Sequence, residues 1–351
     1  MAPGTDIDAA ALPGWVRLDR QGELEDRIRR LMELASPCRL CPRDCRVPRL
    51  EGALGHCRTG PGAPVASATA HFGEEPEISG TRGSGTVFFA GCSLRCLYCQ
   101  NHQISQDKEE SRAEAPSPEA LARIYRSLQD RGVHNLNWVT PSHVVPWALQ
   151  GLREAASLGV DLPLVYNTSG YDALATLKAL EGVVDIYLAD LRYGDDEAAM
   201  RCSGAPDYVP AARAAIREMA RQVGTENSLG PDGLLRRGLV IRLLVLPNDL
   251  ASIRETLAFL KAELGTGVRI ALMSQYYPAH RAAEEPLLSR PVSAGEYWRA
   301  VDWADRMGFD NLLIQEFEAR QFYRPDFRMQ DEPFEDARHF AGPPSREDAG
   351  R

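Results

Sequence analysis

Apolar positions along this chain follow two rhythms that alternate. From about residue 83 onward, short runs rich in β-branched and aromatic residues at 86–90, 136–139, 162–166, 183–188, 239–246, 268–273 and 311–314 predict strands. Between them apolar residues recur at helical spacing. Ser117-Pro118 opens a helix carrying Leu121, Ile124, Tyr125 and Leu128, and Val145, Ala148, Leu149 and Leu152 repeat the same interval. Asp249 is expected to open a helix with Ile253, Leu257 and Leu260, and Ser293 with Glu296 forms a capping box ahead of Tyr297, Ala300, Val301 and Ala304. Repeated β–α alternation requires parallel strands joined by right-handed crossovers. About six such units predict an α/β fold, an incomplete (β/α)6-type parallel barrel over residues 82–317, with reactive groups at the C-terminal ends of its strands.

The flanks have other textures. Residues 1–37 form an extension with one expected helix, over 22–34, in which Leu24, Ile28 and Leu31 share a face. Residues 38–81 are a cysteine-rich segment in which Cys38, Cys41, Cys45 and Cys57 are interleaved with Pro42, Pro48, Gly52 and Gly55. That is too turn-rich for regular structure and suits a metal knot, which lets a segment without a core of its own hold its shape. Four thiolates are a closed set, accepted by zinc and by a second iron–sulfur cluster alike. Residues 224–233 read as a surface loop, and the charged, Pro-rich residues 318–351 as a partly disordered tail.

The chemistry gathers where the first strand ends. Cys92, Cys96 and Cys99 have the spacing C-x-x-x-C-x-x-C directly after the run 86–91. A structural zinc site needs four ligands, and a C-x-x-C redox pair would leave Cys92 unexplained. Three thiolates in one loop suit a [4Fe–4S] cluster whose fourth iron stays open to an outside ligand. Other strand ends carry polar groups: Thr140-Pro141-Ser142-His143, Asn167-Thr168-Ser169-Gly170-Tyr171, Asp190-Leu191-Arg192, and Ser274-Gln275-Tyr276-Tyr277-Pro278. Asp190 and Arg192 lie two residues apart, so an extended backbone turns both to one side. One carboxylate and one guanidinium there form a clamp for an amino acid's ammonium and carboxylate. Arg242 stands within an apolar strand.

Composition narrows the partners. The 351 residues carry 40 Lys and Arg against 49 Asp and Glu, a formal charge of −9, which argues against a broad nucleic-acid footprint. No apolar run approaches the roughly 18 residues of a membrane span, and the N-terminus lacks the pattern of a secretory signal. A cytoplasmic location is therefore expected, where the eight cysteines read as metal ligands or redox groups and not as disulfides.

The cysteine loop, with Tyr98 just before its last cysteine, resembles the signature of the radical S-adenosylmethionine (radical SAM) enzymes. Within that superfamily, Phe72-Gly73-Glu74-Glu75-Pro76, the run 78–86, Cys99-Gln100-Asn101 and the stretches 166–171, 185–194 and 273–278 resemble proteins related to pyruvate formate-lyase activating enzyme. The resemblance implies that the open iron binds the methionine part of SAM and that Tyr98 packs by the adenine. It also implies that Asn167, Thr168 and Ser169 lie along the ribose, and that Asp190 and Arg192 match an Asp-x-Lys pair holding the methionine ammonium and carboxylate. The chain departs from the pattern at the second strand end, where Gly-Gly-Glu is usual and Thr140-Pro141-Ser142-His143 stands. The implied activity is reductive cleavage of SAM to a 5′-deoxyadenosyl radical, with electrons from a donor such as flavodoxin or ferredoxin. The hydrogen abstracted would come from a glycyl radical enzyme, or else from another peptide, a small molecule or RNA. A reading of a different class is a non-catalytic protein in which both cysteine sets are structural or electron-carrying.

Overall fold

The computed structural model describes residues 12–107, 114–317, 324–327 and 333–334. In chain order its elements are α1 (Gly14–Arg20), α2 (Leu24–Ala35), β1 (Val65–His71), α3 (Pro76–Ser79), β2 (Ser84–Phe89), α4 (His102–Ser105), α5 (Pro118–Asp130), β3 (Leu136–Val139), α6 (Val145–Ser157) and β4 (Leu164–Thr168). There follow α7 (Leu174–Ala179), β5 (Ile186–Asp190), α8 (Asp196–Ser203), α9 (Tyr208–Val223), β6 (Ser228–Leu229), β7 (Leu235–Leu244), α10 (Ile253–Leu264), β8 (Arg269–Met273), α11 (Ala294–Arg306) and β9 (Leu312–Ile314).

The strands β2, β3, β4, β5, β7, β8 and β9 pair in that order, all parallel. This is the expected incomplete barrel, with seven parallel strands. Its inner strands are buried along their length, as in β2 and β4, because helices cover one face and barrel neighbours the other. The helices bury most of the faces that the sequence marks: Leu121, Tyr125 and Leu128 in α5, with Ile124 half-buried, and Tyr297, Ala300 and Ala304 in α11, with Val301 half-buried. The Ser117 hydroxyl accepts from the Ala120 N–H at 3.3 Å, and Ser293 with Glu296 closes a complete capping box.

Four features differ from the sequence expectation. Asp249 does not open α10: Asn248, Asp249 and Ser252 all have left-handed backbone, which breaks the chain into a short turn, and the helix starts at Ile253. The loop 224–233 contains β6, which pairs antiparallel with the start of β7. Among its described residues the N-terminal extension holds two helices, not one. α1 is too short to show a period, and it is fixed at the N-terminal ends of β4 and β5 by long-range bonds: Gly14 N–H to Asp185 Oδ1 at 2.7 Å and Trp15 Nε1–H to Leu162 O at 3.0 Å. A Cβ at Gly14 would stand 2.3 Å from Gly182 O, so only glycine allows that approach.

The fourth difference bears on the site. β1 runs antiparallel to β2 and extends the sheet at that edge, so the sheet begins at Val65, ahead of residue 82. Its small residues, Ala66, Ser67, Ala68 and Ala70, hide a strand that alternates between buried and half-buried positions. The disorder expected over 318–351 lies mostly outside the described residues. Of the tail, Phe327 is buried against Phe88, and Phe334 packs on His71 with ring centroids 4.2 Å apart.

Candidate active site

β2 delivers the chain to a tight turn. Gly91 has φ +80°, and a Cβ there would stand 2.6 Å from Cys57 O and 2.7 Å from Thr59 Cγ2. Beyond it, Cys92, Cys96 and Cys99 all line one cavity, together with Phe89, Ser169 and Arg192. Backbone bonds hold this loop open: Arg95 N–H to Ser203 O at 3.1 Å, Leu97 N–H to Cys202 O at 2.8 Å, and Arg281 N–H to Leu97 O at 2.9 Å. Each sulfur has a polar neighbour. The Leu94 N–H reaches Cys92 Sγ at 3.3 Å, the Ser203 hydroxyl reaches Cys96 Sγ at 2.9 Å, and the Ser105 hydroxyl lies 3.3 Å from Cys99 Sγ.

Burial and the neighbouring Cys96 push the Cys92 thiol up to about 12, and burial followed by Cys96 raises Cys99 as well. Such thiols stay protonated at neutral pH until a bound metal takes the proton's place. Among the described residues no three Cys, His, Asp or Glu side chains close on a point as the ligands of a single ion would. Three thiols around one cavity, each with a donor close to its sulfur, fit the polynuclear cluster that the loop suggests.

A larger cavity of about 180 Å³ adjoins the first and shares Cys99, Thr140 and Arg192 with it. Asp190 and Arg192 turn to the same side, as the spacing requires: Arg192 Nη2 donates to Asp190 Oδ2 at 2.7 Å, and Arg192 Nη1 lies 3.5 Å from Cys96 Sγ. This is no rim ion pair, since the two side chains are 24% and 14% exposed. Burial alone would raise Asp190, but Arg242 and Arg192 more than offset it and hold its carboxyl below the usual range. The Arg192 Nε is buried and without a partner among the described residues. Tyr98 is buried in the same wall and begins a chain of hydroxyls, Tyr98 to Tyr193 at 2.6 Å and Tyr193 to Ser203 at 2.6 Å, that ends on Cys96 Sγ.

The segment after β4 divides. Asn167 faces the larger cavity; Thr168 also lines it, but its hydroxyl donates to the buried Asp172 carboxylate. Ser169 lines the cysteine cavity, with a buried hydroxyl that has no partner among the described residues. Thr140 lines both cavities, but the rest of its strand end turns away: Ser142 donates to Asp172 at 2.5 Å, and His143 Nε2 sits 2.9 Å from Ala90 O.

Two residues that line the larger cavity, Glu74 and Arg242, have no assigned role in the sequence reading. Glu74, just past β1, accepts from Asn137 Nδ2 at 2.9 Å and Asn167 Nδ2 at 3.1 Å. Arg242, on β7, is not surrounded by apolar groups as its strand suggests. It donates to Glu74 Oε2 at 2.9 Å, Asp190 Oδ1 at 2.8 Å and Asn167 Oδ1 at 2.5 Å. Glu74 thus brings a carboxylate to the pocket from the antiparallel strand, where the second strand end supplies none. The only signal for it was the run 72–76, which carries the family resemblance without a place in the barrel pattern.

The second cysteine set lies directly behind the first. Cys38, Cys41, Cys45 and Cys57 line one small cavity with His56. Burial raises Cys41, and the other three thiols add to the shift, apart from an opposing backbone hydrogen bond from Arg43. Arg49, 1% exposed, ties this knot to the barrel: Nε donates to Gly60 O at 2.9 Å, Nη2 to Thr59 Oγ1 at 2.6 Å and Nη1 to His143 O, while the guanidinium stacks 4.6 Å over Trp147. Arg43 Nε donates to Ser93 O at 2.8 Å, inside the other cysteine loop.

The model of the radical SAM superfamily matches residues 86–260, a span that runs from β2 into α10. An uncharacterized protein of Methanocaldococcus jannaschii, MJ0674, is 30% identical over 278 residues, which cover 78% of this chain and 75% of the relative. Among solved structures, the FeFe-hydrogenase maturase HydG from Carboxydothermus hydrogenoformans aligns at 15% identity and a TM-score of 0.45, over 68% of this chain and 55% of its own. A second structure of HydG, a maturase of the [FeFe]-hydrogenase, aligns at 13% identity and 0.44, over 73% of this chain and 56% of its own. The chain therefore spans just over half the length of those two solved proteins.

Proposed function

This chain belongs to the radical SAM superfamily, and from that premise we propose that it cleaves SAM reductively at a [4Fe–4S] cluster held by Cys92, Cys96 and Cys99 and acts on a protein partner. The cluster and SAM, when bound, supply one-electron cleavage of the sulfonium and a 5′-deoxyadenosyl radical that removes a hydrogen atom. The observation that carries the reading is the position of Arg192, with one guanidinium nitrogen 3.5 Å from Cys96 Sγ and another on Asp190. A carboxylate bound to Arg192 and an ammonium bound to Asp190 would place an amino acid beside the cluster loop. Arg242 and Glu74 fix Asp190 from behind, Ser169 offers a free hydroxyl in the cysteine cavity, and Tyr98 packs the wall between the loop and Tyr276, with ring centroids 5.7 Å apart.

The finer reading, activation of a glycyl radical enzyme, rests on the resemblance of residues 72–86 and 185–194 to pyruvate formate-lyase activating enzyme. The four-thiol knot would act as a metal staple, and metal analysis of wild type against Cys41→Ser separates zinc from iron. The central test is anaerobic reconstitution with dithionite and SAM, measuring 5′-deoxyadenosine for wild type and Cys96→Ala. A full cluster with no deoxyadenosine above the variant would overturn the reading. A carbon-centred radical detected by EPR on an added glycyl radical enzyme would support the finer one.

A further inference from the structure

The knot carries a surface that the barrel's chemistry does not use. Acidic residues outnumber basic ones in the chain, 49 to 40, yet around Cys57 the balance reverses. Arg43, Arg58 and Arg95 gather near His56 and near one another. Among the described residues none of the three pairs with a carboxylate: Arg58 donates to Gln106 O at 2.7 Å and Arg95 to His56 O at 3.1 Å, while Arg43, with one guanidinium nitrogen buried, donates to Ser93 O at 2.8 Å and lies 5.5 Å from the centre of the Tyr171 ring. Of the acids on the knot, Asp44 is already paired with Arg46 at 2.8 Å, and Glu51 stands exposed on the turn Arg49–Glu51. Two large apolar side chains are also out in solvent, Leu50 at 46% and Leu54 at 56%. Leu54 lies over Gly60, two residues from Arg58.

This surface also sits close to the cluster loop. Arg43 grips Ser93, Arg95 belongs to that loop, and Cys57 O packs against Gly91, the residue before Cys92. We propose that this basic and apolar face of the knot docks an acidic one-electron carrier protein, from which the electron crosses to the cluster held by the Cys92 loop. The inference rests on the radical SAM reading given above. The step moves one electron and no atoms: the reduced carrier is oxidised by one electron and the cluster is reduced by one. The Arg58 and Arg95 guanidiniums, which meet no carboxylate among the described residues, together with Leu50 and Leu54 suit such a partner. Electron-transfer contacts are typically small and short-lived, and opposite charge speeds their encounter.

The test uses the anaerobically reconstituted protein and an acidic flavodoxin. Binding is titrated at low and high salt, and the rate at which reduced flavodoxin bleaches the cluster's visible absorption is compared with the rate for dithionite. For Leu54→Glu/Arg58→Glu, flavodoxin-driven bleaching and affinity are expected to fall about 10-fold at low salt, with most salt dependence lost and the dithionite rate unchanged. Arg95→Glu is expected to act in the same direction; should it lose its cluster, the first variant decides alone. Equal binding and equal flavodoxin-driven rates for wild type and Leu54→Glu/Arg58→Glu, or wild-type rates insensitive to salt, would overturn the proposal. Neither readout requires SAM cleavage, so a failure to form deoxyadenosine is distinguishable from a failure to dock.

Discussion

Replacing Arg242 by Met tests whether the charged network beneath the pocket is held together as described. The guanidinium lies 2.9 Å from Glu74 Oε2 and 2.8 Å from Asp190 Oδ1, and the three side chains are 14%, 7% and 14% exposed. At those separations and an effective dielectric of about 20, each contact is worth roughly 6 kcal/mol before desolvation. Desolvation of the three groups cancels much of that, but removing the cation leaves its buried carboxylates uncompensated, a change that typically costs about 3–5 kcal/mol. Asp190 keeps Arg192, so the larger share falls on Glu74. Arg242→Met is therefore expected to lose ~3–5 kcal/mol in equilibrium denaturation. Adding Glu74→Gln should restore part of that loss, because it removes the stranded charge, giving a coupling of at least about 1.5 kcal/mol in the double-mutant cycle. A loss below about 1 kcal/mol, or two losses that simply add, would refute the network as an energetic unit.

Further outcomes follow from other residues. Glu75 is buried, its Oε2 has no partner among the described residues, and burial, partly offset by Arg242, raises its pKa to about 7. Because the folded value lies above that of a free carboxyl, this group's contribution to stability is full below about pH 4.5 and is lost as pH rises through about 7. Glu75→Gln should therefore flatten the stability–pH curve across that window and gain ~3 kcal/mol over wild type at pH 8; parallel curves would dismiss the assignment. Gly91→Ala should force the knot away from the cluster loop, since its Cβ meets Cys57 O at 2.6 Å on a left-handed backbone. The readout is iron per chain after reconstitution together with the melting temperature, and wild-type values for both would show that the contact is not tight.

Strands and helices of the barrel were legible because their periods are strong and their ends are capped by local chemistry, as at Ser117 and Ser293. The three loop cysteines were legible because their spacing is short and local. What stayed hidden depends on contacts between residues far apart in the chain. α1 has too few residues for a period and owes its place to Asp185, and β1 is written in alanine and serine, which carry little strand signal. Arg242 reads as a charge in an apolar strand until Glu74 and Asp190 are brought to it. The pair Asp190 and Arg192 was visible as a same-side clamp, but that Asp190 also binds a second cation, Arg242, was not, because that residue lies some fifty residues further on.

The bonds that close the pocket also set an order of assembly. Glu74 leaves the polypeptide 168 residues ahead of Arg242, and Gly14 precedes Asp185 by 171. On a growing chain, Cys92, Cys96 and Cys99 emerge together and early, whereas the guanidinium that neutralises Glu74 and Asp190 arrives only with β7. Long-range contacts of this kind form late in folding. Emergence of the three cysteines and completion of the neighbouring pocket are thus separated in time, and an interrupted or truncated chain ending before Arg242 would present the cysteines without the charge balance that surrounds them in the finished fold.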